Sequence, residues 1–110
     1  MAVMVNGKDM KEAVIKTDQF EMRLLEFTPD MMRVNVKDTS GEAFSFVPRF
    51  ITIVYPDTKV INARDSGVST IPSKQSAEVT IQFAEKLHME RMMSFELRYA
   101  RKRLAEISIE

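Results

Sequence analysis

Apolar and polar residues alternate with a period of two in several separate stretches of the chain. Phe20, Met22 and Leu24 fall on one side of an extended backbone and Glu21 and Arg23 on the other, because successive side chains of a strand point to opposite faces. Val34 and Val36 alternate in the same way with Arg33, Asn35 and Lys37, and Val79, Ile81 and Phe83 with Glu78, Thr80 and Gln82. Phe95, Leu97 and Tyr99 alternate with Ser94, Glu96 and Arg98, and Ala105, Ile107 and Ile109 with Leu104, Glu106 and Ser108. A weaker opening pattern joins Ala13 and Ile15 to Lys16 and Thr17. Each predicts a strand with one buried and one wet face.

Residues Ala43 to Tyr55 are richer in aromatic and β-branched side chains than one inward face can use. Phe44, Phe46 and Pro48 share one phase, and Val47, Ile51, Ile53 and Tyr55 the other. Proline cannot donate to a ladder, so Pro48 predicts an edge position, a bulge or a passage between two sheets. Two readings follow from this. In one, Phe44, Val47, Ile51, Ile53 and Tyr55 form an exposed edge that binds a protein partner or a second copy of the chain. In the other, Pro48 marks a crossing, and both phases face inward in turn.

Turn chemistry divides the strands from one another. Thr28-Pro29-Asp30, Asp38-Thr39-Ser40-Gly41-Glu42, Pro56-Asp57, Asp65-Ser66-Gly67 and Pro72-Ser73-Lys74-Gln75-Ser76 all carry turn-forming residues. Val60 and Ile61 predict a short edge strand. Residues 84–93 have helix formers enough for a turn or two but also suit an irregular connection. Residues 99–106 are also a respectable helix by propensity but read as a hairpin, because a helix would have to fit between the strand phases before and after it. Short strands at this spacing predict a single all-β domain over residues 1–110, an immunoglobulin-like antiparallel sandwich of about seven strands. Residues 1–11 are expected to be a flexible extension. The predicted core is Phe20, Met22, Leu24, Val34, Val36, Phe46, Ile51, Ile53, Val79, Ile81, Phe83, Phe95, Leu97, Tyr99, Ile107 and Ile109.

Composition narrows the chemistry. At 110 residues the chain has room for one domain, and sixteen basic residues balance sixteen acidic ones for a net charge of zero. That lacks the basic excess general phosphate binding requires, so nucleic acid is not the expected partner. Zero cysteines remove disulfides, thiol nucleophiles and iron–sulfur ligation. A single histidine and three scattered glycines signal neither a Ser-His-Asp triad nor a phosphate-cradling loop. The expectation is a non-enzyme with no catalytic residue and no cofactor. No apolar run approaches the roughly twenty residues of a membrane span, and no signal-peptide pattern precedes residue 16. The compartment stays open: extracytoplasmic if the chain derives from a secreted precursor, otherwise cytoplasmic.

Two clusters carry alternative chemistry. His88, Met89, Met92 and Met93 place an imidazole beside soft thioethers, a ligand set suited to Cu(I) in a small copper-handling protein. The opposing reading makes the methionines gap-fillers, in a chain with nine of them. Arg98, Arg101, Lys102 and Arg103, interleaved with Tyr99, are the densest basic run and the candidate contacts of a weak nucleic-acid binder. The opposing reading is a solvated hairpin tip whose charges discourage pairing with another chain.

The segments Val36-Lys37-Asp38-Thr39-Ser40-Gly41-Glu42-Ala43-Phe44 and Ile71-Pro72-Ser73-Lys74-Gln75-Ser76-Ala77-Glu78-Val79-Thr80-Ile81-Gln82-Phe83 form the most informative pairing. Together they resemble the immunoglobulin-like accessory domains of bacterial envelope and secreted proteins. In those domains a strand ending near Asn-Thr-Ser is followed later by Ile-Pro-x-x-x-Ser and a strand closing on phenylalanine. The resemblance spans residues 33–109. Asp38 stands where such domains commonly carry asparagine, and the Pro72 turn lacks their usual glycine. It implies a non-catalytic sandwich in an envelope or extracellular setting, and it assigns no functional residue. The expected function, a binding or structural module acting through protein–protein contact, rests on the missing catalytic inventory and on the two rigid sheets and loop ends a sandwich offers.

Overall fold

The computed structural model describes Ala2 to Glu110 and is almost entirely β. Its strands are β1 (Val3–Val5), β2 (Lys8–Asp9), β3 (Ile15–Lys16), β4 (Phe20–Phe27), β5 (Met31–Asp38), β6 (Phe44–Phe46), β7 (Ile51–Val54), β8 (Val60–Asn62), β9 (Ser69–Ile71), β10 (Ser76–Gln82), β11 (Ser94–Tyr99) and β12 (Lys102–Ile109). The one helical element among the described residues is a 3₁₀ turn over Pro48–Phe50. Every strand pair is antiparallel. A six-stranded sheet runs β2-β1-β12-β11-β7-β8, a four-stranded sheet runs β10-β5-β4-β3, and β6 pairs with β9 in a small third sheet.

The inward faces of the two larger sheets meet in one apolar core. Met22, Val34, Val36 and Ile81 of the four-stranded sheet and Ile51, Ile53, Leu97, Ile107 and Ile109 of the six-stranded one are fully buried. Aromatic rings bridge the sheets at both ends. At one end Tyr99 stacks on Phe46 with centroids 4.8 Å apart and meets Phe20 edge-on at 5.7 Å. At the other, Phe27 contacts Phe83 at 5.9 Å and Phe95 at 6.3 Å. Of the sixteen expected core residues only Tyr99 is not fully buried; its hydroxyl stays at the margin and accepts the Val47 N–H at 3.0 Å. Burial pushes the Tyr99 phenol pKa up.

The aromatic stretch resolves in favour of a crossing. β6 lies with β9, the 3₁₀ turn buries Pro48, and the chain then enters the interior of the six-stranded sheet as β7, flanked by β11 and β8. Ile51 and Ile53 are completely buried, and Phe44, Val47 and Tyr55 are half-buried. The exposed edge expected over this segment is therefore absent, since both phases find a core, one on each side of Pro48. The N-terminal extension is also corrected. Val5 is buried, β1 pairs with β12, and Asn6-Gly7 turns the chain into β2. Asn6 and Gly7 have φ of 50° and 80°, the left-handed pair of a two-residue hairpin. Residues 84–93 form an irregular connection pinned by the buried Leu87. Met32 sits in β5 with no exposure.

One charged side chain among the described residues is buried, and it joins two turns distant in sequence. The Asp38 carboxylate accepts hydrogen bonds from the Ser40 N–H (2.9 Å) and hydroxyl (2.6 Å), the Gly41 N–H (3.1 Å) and the Lys74 N–H (2.8 Å). Ser73 Oγ donates to the Gly41 carbonyl at 2.6 Å, and the Asp38 N–H donates to the Gln75 carbonyl at 2.9 Å. The two segments that carried the resemblance thus meet at one carboxylate. The Lys74 amide, then the Ser40 hydroxyl, with the Ser40 and Gly41 amides, hold the Asp38 carboxyl below its ordinary pKa against the opposing effect of burial.

A group whose folded pKa is depressed stabilises the fold above its unfolded value, about 3.9 for aspartate, and loses that contribution as pH falls from there through the lowered folded value. Asp38→Asn, which turns an amide donor toward N–H donors, is expected to lower the melting temperature at pH 7 and to flatten its decline below about pH 4 relative to wild type. Thermal denaturation from pH 7 to pH 2 measures both. A second expectation concerns the β11–β12 hairpin, where Ala100 and Arg101 hold φ of 51° and 69° in a two-residue loop that favours Asn-Gly. Ala100→Asn combined with Arg101→Gly should raise stability by about 1 kcal/mol in urea denaturation.

Candidate functional site

The end of the sandwich beyond β7 is built by two connections. β7 leaves the core at Tyr55, whose ring lies 5.2 Å from Phe95, and Pro56-Asp57-Thr58 turns the chain into β8. Thr58 holds a φ of 75° and donates its N–H to the Tyr55 carbonyl at 2.9 Å, and Asp57 Oδ1 accepts the Lys59 N–H at 3.0 Å. The second connection follows β10. Leu87 is drawn into the core and donates its N–H to the Pro29 carbonyl at 2.8 Å, which carries His88 to Tyr55. The His88 N–H donates to the Tyr55 hydroxyl at 2.9 Å. Met93 is tied to the end of β12 by the Ile109 N–H, which donates to its carbonyl at 2.8 Å.

Between these connections lies a concavity of about 430 Å³ lined by Tyr55, Pro56, Asp57, Lys59, Lys86, His88 and Met93. Its floor is apolar, from the tyrosine ring, the proline and the thioether. Its rim is charged. Lys59 Nζ lies 3.7 Å from Glu85 and His88 Nε2 lies 2.9 Å from Glu90, both pairs well exposed and therefore weak tethers. Lys86 forms no ion pair among the described residues.

Three residues that the sequence singles out for different reasons come together here: Tyr55 from the aromatic stretch, and His88 and Met93 from the imidazole–thioether cluster. The remaining candidates are scattered. Met89 packs partly against the core, whereas Met92, with a φ of 69°, is 87% exposed. Of the four proposed copper ligands, only His88 and Met93 line the same concavity. No three His, Asp or Glu side chains converge among the described residues. Phe44 stacks on Phe20 at 5.7 Å, at the opposite end of the molecule from the Tyr55 concavity.

The basic run is divided by the hairpin. Arg98 and Arg103 face each other across β11 and β12 on the outside of the six-stranded sheet, while Arg101 sits in the turn and Lys102 is paired with Tyr99. A register shift between Leu97 and Arg98 places Arg103, by parity an inward residue, on the outer face. Tyr99 is committed to the core through Phe46 and Phe20, so its ring is not free to stack on a base. No helix among the described residues is long and apolar enough to cross a membrane.

Lys59 and Lys86 are the site residues the sequence does not announce. Pro56-Asp57 is legible as a turn, but nothing in the spacing of residues 59 and 86 brings them to one rim; the β7–β8 hairpin and the buried Leu87 do so. In comparisons with family models, with curated proteins and with solved structures, the chain matches none.

Proposed function

We propose that this chain is a non-catalytic, immunoglobulin-like binding module acting through protein–protein contacts in a bacterial envelope or secreted assembly. The observation that carries the binding role is the concavity at the Tyr55 end, an apolar floor and a charged rim formed by the two connections that leave β7 and β10. Loops at the end of a sandwich are where such scaffolds place recognition. The chemistry of the site selects an apolar or aromatic side chain flanked by a carboxylate, the first covering Tyr55 and Met93 and the second meeting Lys86.

Strand pairing supports the immunoglobulin-like part of the reading. β4 pairs with β5 and β5 with β10, while β8, β7, β11 and β12 lie side by side in the other sheet. That distribution parallels two sheets joined by a crossing from the second long strand to the third. The pairing of β9 with β6, rather than with β10, is a departure from it. The envelope or secreted setting rests on the resemblance of residues 36–44 and 71–83.

A short acetylated peptide with one aspartate beside a phenylalanine is expected to shift the amide resonances of Tyr55, Lys59, Lys86 and His88 in a saturable, millimolar-range titration of the isotope-labelled chain. Lys86→Glu should weaken that binding at least fivefold while leaving the remaining spectrum in place. Shifts that do not saturate, or that scatter away from this end, would remove the concavity as a recognition site.

A further inference from the structure

The two sheets arrange their outward charges in opposite ways. On the four-stranded sheet unlike charges face each other across strands. Glu21 stands between Lys16 and Lys37, and Arg33 lies opposite Glu26, with its guanidinium also bonded to Glu78. On the six-stranded sheet like charges face each other: Glu96 lies opposite Glu106, and Arg98 opposite Arg103. Like charges directly opposite are unfavourable within a sheet.

The result is a row of two glutamates beside a row of two arginines, roughly 7 Å apart along the strands. Glu96 and Arg98 touch at 3.5 Å, but the contact is incomplete: Arg98 Nε is buried and makes no hydrogen bond. Around the quartet, Thr52 and Val54 of β7 and Ser94 and Ser108 present small side chains on the same half-exposed face. A partner surface can therefore approach closely.

We propose that this outer face is the contact surface of a homodimer. A two-fold axis lying in the interface, parallel to the rows and midway between them, carries the glutamate row of one copy over the arginine row of the other. Glu96 then meets Arg98 of the second copy and Glu106 meets its Arg103, with the symmetric pairs completing four ion pairs. The pattern is complementary to itself about such an axis, as a two-fold interface requires. Guanidinium–carboxylate pairing is open to Arg98, whose side chain is 40% exposed, and to the exposed Arg103. The strands of this face range from two residues in β2 to eight in β12, and together they cover roughly 400 Å² per copy, which makes the dimer a weak, salt-sensitive one below the standard interface size.

The test uses the full chain and two charge-uniform variants, with circular dichroism to confirm that each is folded. Wild type should sediment as a reversible dimer in the micromolar to millimolar range at about 25 mM salt, and weaken at least tenfold at about 500 mM. Arg98→Glu with Arg103→Glu gives an all-acidic face, and Glu96→Arg with Glu106→Arg an all-basic one. Each should be monomeric alone, and the two should form a one-to-one heterodimer when mixed. A wild-type chain that stays monomeric at low salt overturns the proposal without need of the variants. A wild-type dimer that persists in either variant, or two folded variants that do not associate when mixed, overturns it equally.

Discussion

A carboxylate buried in a β-sandwich must find donors, and Asp38 finds them in two loops separated by more than thirty residues. Two amides and a hydroxyl come from the turn that follows β5, and a third amide comes from the turn that precedes β10. The donors sit on exposed turn residues, but the Asp38 side chain itself is buried and would lose its partners if either turn moved, so the carboxylate holds the two turns together. The consequences run through the whole chain. β10 starts in register with the end of β5, Ser76 opposite Lys37, and the chain is aimed at β6 and the Pro48 crossing. That crossing carries β7 into the interior of the other sheet, where its far end supplies Tyr55 and its outer face supplies Thr52 and Val54.

Most strands were legible because half-buried strands write their faces into the sequence with period two. Phe20 to Leu24, Val79 to Phe83 and Phe95 to Leu97 point inward as their alternation requires. What escaped has specific physical causes. A bulge between Leu24 and Glu26 shifts the phase of β4, so Phe27, outward by parity, turns inward, and simple alternation ends too early. The same device near Leu104 moves Arg103 to the outer face. Val5-Asn6-Gly7-Lys8 held a readable hairpin signal, since Asn-Gly suits the left-handed pair of a two-residue loop. The short flanking strands masked it.

The candidate site was less legible than the fold, for a related reason. Periodicity reports which way a side chain faces but not which distant residue it meets. Tyr55, His88 and Met93 were each visible as unusual, yet their convergence depends on Leu87 entering the core and on the β7–β8 turn. The copper reading depended on neighbours in sequence being neighbours in space. In an irregular connection they are not: Met92 faces solvent while Met89 and Met93 pack inward. The Tyr55 concavity and the outer charged face are linked through β7, which carries Thr52 and Val54 and runs directly into Tyr55.

Asp38, ionised and held by donors from both turns, ties the two halves of the chain together. The most direct measurement follows the carboxyl carbon resonance of Asp38 with pH in the labelled protein. The expected transition lies below the ordinary value of about 3.9, with the amide resonances of Ser40, Gly41 and Lys74 moving at the same pH. A transition at the ordinary value, with the Lys74 amide unmoved, would contradict it.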